Sequence, residues 1–162
     1  MALNAYLRLK GQKQGDMKGS VTQKGREGKI AVIAVSHEIV SPRDAASGLP
    51  TGKRMHKPFV ITKELDQSSP LLYNALVNNE NITDFELQFW RPAMTGAEEQ
   101  YYTVRLTNAN IATIDFRMLN TKNPDLVRYA EYEEIAFTYQ KITWTWMNGG
   151  ITAADDWSAP IM

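Results

Sequence analysis

The chain has 162 residues, with 18 Lys and Arg against 18 Asp and Glu, 43% hydrophobic residues and 22% charged ones. That length suits one domain over residues 1–162 with a core of its own, and the even charge balance lacks the basic excess that marks a nucleic-acid binder. There is no cysteine, which excludes disulfides, thiol catalysis and cysteine-ligated metal.

The opening MALNAYLRLKGQKQG has neither the apolar run nor the cleavage site of a signal peptide. The longest apolar run, residues 30–35, is too short to span a bilayer. The expectation is a protein made and folded in the cytoplasm, without membrane insertion, and exported if at all by a route that ignores signal peptides. Residues 2–9 alternate loosely, with Leu3, Ala5, Leu7 and Leu9 on one face, and predict a strand. Residues 11–28, rich in Gly, Lys, Gln and Ser, predict a loop with a short strand near Val21.

Residues 29–40 carry apolar side chains on both faces of one predicted strand. Ile30, Val32 and Ala34 point one way, and Ala31, Ile33 and Val35 the other, so the second face packs on either an inner layer or a neighbouring subunit, with Ile30, Ala31, Val32, Ile33 and Val35 as candidate interface residues. Residues 41–57, SPRDAASGLPTGKRMHK, show no period and exceed the usual length of a structureless loop. They form a predicted extended contact loop, with Arg43, Asp44, Leu49, Lys53, Arg54, His56 and Lys57 as its contact residues.

Residues 58–65 predict a strand. Ser69 as N-cap and Pro70 at the first helical position then open one short helix over about residues 69–79, with Leu72, Ala75 and Leu76 as its apolar stripe and Asn78 and Asn79 as its stop. Residues 83–90 alternate cleanly, with Phe85, Leu87 and Phe89 inward. A hairpin connection follows over residues 91–100. Tyr102, Val104, Leu106, Ala112, Ile114, Phe116 and Met118 share one parity, interrupted by Asn108 and Asn110, and predict one bent strand or two collinear ones. After a turn at residues 120–125, residues 134–146 predict the last strand. Its parity changes between Tyr139 and Ile142, which calls for a bulge or for burial of opposite faces at its two ends. Residues 147–162 predict a turn and a loosely held tail. The sum is an all-β domain of two packed antiparallel sheets with one helix.

No constellation for chemistry accompanies this pattern. Ser47–Arg54 misses a phosphate loop at both of its signature ends and precedes a strand rather than a helix. His37-Glu38 lacks the second histidine of a zinc-protease motif. Adjacent carboxylates such as Glu133 and Glu134 face opposite sides of a strand. The expectation is a non-enzyme without metal or cofactor. The dense basic cluster Lys53, Arg54, His56 and Lys57 fits contact with an acidic surface on another copy better than contact with nucleic acid, since no aromatic stacking residues accompany it.

Five segments carry a family resemblance: DMKGSV at residues 16–21, REGKIAV at 26–32, SHEIVSP at 36–42, TGKRMHKPFVITKELDQSSPLLYNAL at 51–76 and YEEIAFTYQKITWTW at 132–146. The chain resembles the haemolysin-coregulated protein (Hcp) family, the tube protein of the bacterial type VI secretion system. The resemblance implies a β-barrel-like protomer with a helix on its flank, hexameric rings that stack into a tube, and a lumen that carries and protects effector proteins. The implied partners are further copies of the chain, a tip spike protein, a contractile sheath and effector proteins. The implied location is the cytoplasm before firing and the extracellular space after it. The extended loop would reach an adjacent ring or subunit. The alternatives are a phage-like tail-tube subunit and a monomeric β-barrel binding a small ligand.

Overall fold

The computed structural model describes residues 4–158. In chain order the elements are β1 (Asn4–Gly11), β2 (Gly15–Asp16), β3 (Ile30–Val32), β4 (Ala34–Ser36), β5 (Ile39–Val40), β6 (Met55–His56), β7 (Phe59–Glu64), α1 (Ser69–Val77), β8 (Ile82–Pro92), β9 (Glu98–Thr107), β10 (Asn110–Arg117), β11 (Tyr132–Thr138), β12 (Lys141–Trp146) and β13 (Ile151–Asp156). A seven-stranded sheet runs β13-β12-β9-β8-β1-β2, with β3 also paired to β1. A four-stranded sheet runs β10-β11-β7-β4, and β5 pairs with β6 in a separate ribbon. All of the pairings are antiparallel, so the all-β expectation with one helix holds.

Each sheet turns one alternating face toward the other. Leu7, Leu9, Phe85, Leu87, Val104 and Leu106 of the large sheet meet Phe59, Ile61, Ile135 and Phe137 of the small one. Phe85 joins the layers through edge-on contacts to Phe59 and Phe137, with ring centroids 5.7 and 4.9 Å apart. Each such buried side chain contributes roughly 1.5–3 kcal/mol of transfer free energy.

Three chain segments pass from one sheet to the other, and each resolves an ambiguity in the sequence. The predicted strand 29–40 is three strands: β3 joins the large sheet, β4 the small sheet, and β5 the ribbon. The odd-to-even parity change after Tyr139 is neither a bulge nor a change of buried face. The chain leaves the small sheet after β11 and enters the large one as β12, and Tyr139 and Ile142 both stay in the core. Likewise β9 and β10 belong to different sheets, with Asn108 at φ 51° in the corner between them. Ala112 is the extra residue at a register shift between Ile111 and Thr113, so the shared parity fails at Ala112 and resumes at Ile114 and Phe116.

The helix begins one residue earlier than its sequence signals indicate. Ser68 is the N-cap, Ser69 opens the helix and is buried, and Pro70 lies in the first turn, where its missing N–H costs nothing. Leu72 and Ala75 are buried, and Asn79 at φ 50° follows the Asn78 cap. The expected short strand near Val21 lies instead at Gly15–Asp16. Within residues 147–162, the expected loose tail contains β13, paired along its whole length with β12 through a turn containing Gly149 at φ 89° and Gly150 at φ 65°. Leu3 and residues 159–162 lie outside the described residues.

Candidate functional site

The long segment after β5 is an ordered arm. Its base is the β5–β6 ribbon, Ile39 opposite His56 and Val40 opposite Met55. Farther out Arg43 pairs with Pro50, and the Asp44 N–H donates to the Leu49 carbonyl at 2.8 Å. Asp44 closes the tip by accepting from the Ser47 N–H at 2.8 Å and the Ser47 hydroxyl at 2.7 Å. Those bonds hold its carboxyl below the usual range. Gly48 stands at φ 73°, as this tight tip requires. Every residue from Arg43 to Lys53 is exposed, Leu49 at 65%.

Below the tip, five side chains lock the arm to the body. The Tyr139 hydroxyl lies 2.7 Å from His37 Nε2 and 2.8 Å from His56 Nδ1. His56 Nε2 meets Asp155 Oδ2 at 2.6 Å, and Arg54 Nε donates to the same oxygen at 2.5 Å. Arg54 Nη2 also reaches the Asp156 carbonyl at 2.6 Å, and the His56 ring lies against Trp157, centroids 5.6 Å apart. The network closes when the Tyr139 hydroxyl donates to one of the two histidines and accepts from the other, while His56 Nε2–H donates to Asp155. Burial pushes the Tyr139 hydroxyl up to about 12, with the Asp155 charge adding to it. Burial, with the neighbouring His56, also lowers His37. The Arg54 hydrogen bond, followed by the one from His56, holds Asp155 down.

The predicted contact residues therefore divide. Arg43, Asp44, Leu49 and Lys53 stand on the exposed arm, whereas Arg54 and His56 are used at its anchor and Lys57 lies 3.4 Å from Glu38 of its own chain. The second strand group divides too. Ile30 and Val32 belong to the protomer's own core, while Ala31, Ile33 and Val35 are exposed, Ile33 at 58% and Val35 at 38%. Tyr139, Asp155 and Trp157 were not legible as site residues, because their partners Arg54 and His56 lie 83 to 101 residues away in sequence.

The four-stranded sheet has two open edges among the described residues, β4 and β10. At both, side chains that point to the core side lack full cover. Val35 shares a row with buried Ile61, and Phe116 shares one with buried Glu133. Phe116 is 47% exposed, and Met118 just beyond it 61%. Beside Phe116 a buried polar cluster lies under the start of α1. Lys63 Nζ reaches Glu133 Oε2 at 3.0 Å, Asp66 Oδ1 at 3.1 Å and Ser69 Oγ at 3.1 Å, with the Lys63 and Glu133 side chains both at 0% exposure.

Arg26, from REGKIAV, has a structural place. It is buried over the rings of Trp90 and Tyr6, at 4.4 and 5.1 Å, and binds Glu98. The glycine of DMKGSV answers a close approach rather than a phosphate. A Cβ on Gly19 would stand 2.6 Å from the Lys29 carbonyl oxygen and 2.7 Å from Ile30 Cα. Among the described residues no three His, Cys, Asp or Glu side chains gather as metal ligands do, and no helix is long and apolar enough to cross a membrane.

Residues 6–146 match the family described as "Type VI secretion system effector, Hcp". A Pseudomonas aeruginosa protein named "Major exported protein" is 41% identical over 170 aligned residues, covering 99% of each chain. A crystal structure of an Hcp protein superposes with a TM-score of 0.90 at 32% identity, covering 98% of this chain and 100% of that one. The Hcp1 protein of Escherichia coli EAEC 042 gives a TM-score of 0.85 at 34% identity, over 96% and 99% of the two chains.

Proposed function

This chain belongs to the Hcp family of type VI secretion proteins, and from that premise we propose that it is a non-enzymatic tube subunit, closing into hexameric rings that stack end to end. One observation carries the reading: the four-stranded sheet is open at both edges, and its edges match. Each neighbour along β10-β11-β7-β4 is antiparallel to the next, so β10 and β4 run in opposite directions. A neighbouring copy that brings its β4 beside β10 continues an antiparallel ladder without a break. That contact is heterologous, and repeated around an axis it closes a ring. Closure also covers Val35 and Phe116, core-side residues of the two edge strands that the lone protomer leaves partly in water. It removes two unpaired strand edges as well, which a soluble protein otherwise has to shield.

The same closure assigns the channel wall. The large sheet and the helix need the greater circumference, so they lie outside, and the solvated face of the small sheet turns inward. That face carries Thr62, Thr113, Asp115, Glu134 and Ala136. Val60, Arg117 and Tyr132 share it, so the face is mainly polar and charged, a surface suited to holding effector proteins during transport. In this reading the tube leaves the cytoplasm for the outside of the cell, driven by a contractile sheath and tipped by a spike protein. The name of the Pseudomonas aeruginosa relative supports export.

Ile33→Glu with Val35→Glu tests the ring. The double variant should stay folded by circular dichroism yet elute as a monomer, while the parent elutes as a hexamer by light scattering. A parent that stays monomeric at high concentration contradicts the reading.

A further inference from the structure

Both histidines of the chain turn a ring nitrogen toward one oxygen. They arrive from different elements. His37 follows β4, His56 lies on β6, and Tyr139 sits in the corner between β11 and β12. The Tyr139 hydroxyl oxygen is 2.7 Å from His37 Nε2 and 2.8 Å from His56 Nδ1. His56 and Tyr139 are buried, while His37 is half-buried and leaves one side of the group open to solvent. With only two histidines, a metal site in this chain needs a third donor of another kind, and the tyrosine oxygen supplies it.

The outer nitrogen of His56 is committed as well. His56 Nε2 lies 2.6 Å from Asp155 Oδ2. A carboxylate there keeps the proton of the neutral ring on Nε2 and turns the Nδ1 lone pair toward the centre. Metal-bound histidines are held and oriented in this way. The spacing selects the metal. Donors about 2.0 Å from an ion stand about 2.8 Å apart in a square plane and about 3.3 Å apart in a tetrahedron. The two nitrogen–oxygen separations match the square plane, the geometry of Cu(II) and Ni(II), and Cu(II) binds such donors the more tightly of the two.

We propose that His37 Nε2, His56 Nδ1 and the Tyr139 oxygen form a Cu(II) site, with Asp155 as its positioning carboxylate and solvent in the fourth place. Binding exchanges one proton for the ion. The phenol proton leaves to solvent, His37 keeps its proton on Nδ1 and His56 on Nε2, and the copper stays Cu(II) throughout. The phenolate and the Asp155 carboxylate offset the two positive charges, and Arg54 remains on the same Asp155 oxygen. An ion there ties the base of the arm, through His56, to the corner between the sheets. The site lies within one protomer, so it stands or falls apart from ring closure.

The test uses the untagged native protein and copper sulfate. Because the chain has no third histidine, a spectrum split by two imidazole nitrogens reports on this pair alone. One equivalent of Cu(II) should give a visible phenolate-to-copper charge-transfer band and an electron paramagnetic resonance spectrum split by two imidazole nitrogens. Tyr139→Phe should remove the band and keep the nitrogen splitting. Asp155→Asn should weaken binding about 10- to 100-fold. Copper should also slow proteolysis of the parent within residues 41–53. Circular dichroism checks that each variant is folded. A parent without the charge-transfer band at one equivalent overturns the proposal. So does a band that survives Tyr139→Phe, or a two-nitrogen splitting that survives His37→Gln.

Discussion

The two ends of the four-stranded sheet hold two polar clusters that differ in one respect. At the arm end, His37, Tyr139, His56, Asp155 and Arg54 satisfy one another within the chain. At the helix end, Lys63, Glu133, Asp66 and Ser69 are more deeply buried, yet one carboxylate oxygen is left over. A closed network fixes the position of the element it holds. One with a buried acceptor left over costs free energy in the protomer.

The largest expected effect is at the helix end. Lys63→Met leaves Glu133 buried without its cation and should destabilise the fold by about 3–5 kcal/mol in urea titration. Lys63→Met with Glu133→Leu should recover most of that loss, since an apolar pair of similar size costs no desolvation. A double variant as unstable as the single one would mean that the cluster does not act as a charge pair. Gly19→Ala sets a methyl group against the Lys29–Ile30 backbone and the Asp66 carboxylate, and should cost about 1–3 kcal/mol in thermal melts. At the arm end, Tyr139→Phe removes the hydroxyl that two histidines share, with an expected loss of about 1–2 kcal/mol. Its fingerprint should be faster proteolysis within residues 41–53 with no change in the core fragment.

Acid distinguishes the ends more gently. His37 is held below its ordinary value of 6.5, so the folded state binds fewer protons than the unfolded one as pH falls through that value. Stability supplied by this group is present above about 6.5 and is lost below it. Charging His37 places a positive charge in a partly buried network next to His56, the two causes that lower it. Hydrogen exchange should therefore speed up in residues 39–56 between pH 6.5 and 5, and His37→Gln should flatten that response. Uniform loosening of arm and helix would break the contrast. The smallest effect belongs to the exposed Lys57–Glu38 pair, where Glu38→Ala should change stability by less than about 0.5 kcal/mol.

Much of this architecture was legible in the sequence, because alternation reports burial directly. Phe85 and Leu87 on β8 and the Ser-Ser-Pro start of α1 are local signals, and the structure obeys them to within a residue. What alternation cannot report is a change of partner sheet. Residues 30–36 and 135–146 read as continuous strands because both segments keep apolar side chains inward while crossing between layers. The Asn-Gly-Gly turn at residues 148–150 was a hairpin signal that could have found β13. Arg54 and His56 read as a surface cluster, since their partner Asp155 lies about a hundred residues away in sequence. Lys63 and Glu133 left a trace in the sequence: each occupies an inward position of its strand, where a charge calls for a buried partner.

Three-dimensional electron microscopy of the purified native protein tests ring closure most directly. The account requires a six-fold annulus in which β4 of each copy lies hydrogen-bonded beside β10 of the next, with the Thr62–Glu134 face turned to the channel. Solitary particles at high concentration, or rings whose β4 and β10 edges both face solvent, would contradict it.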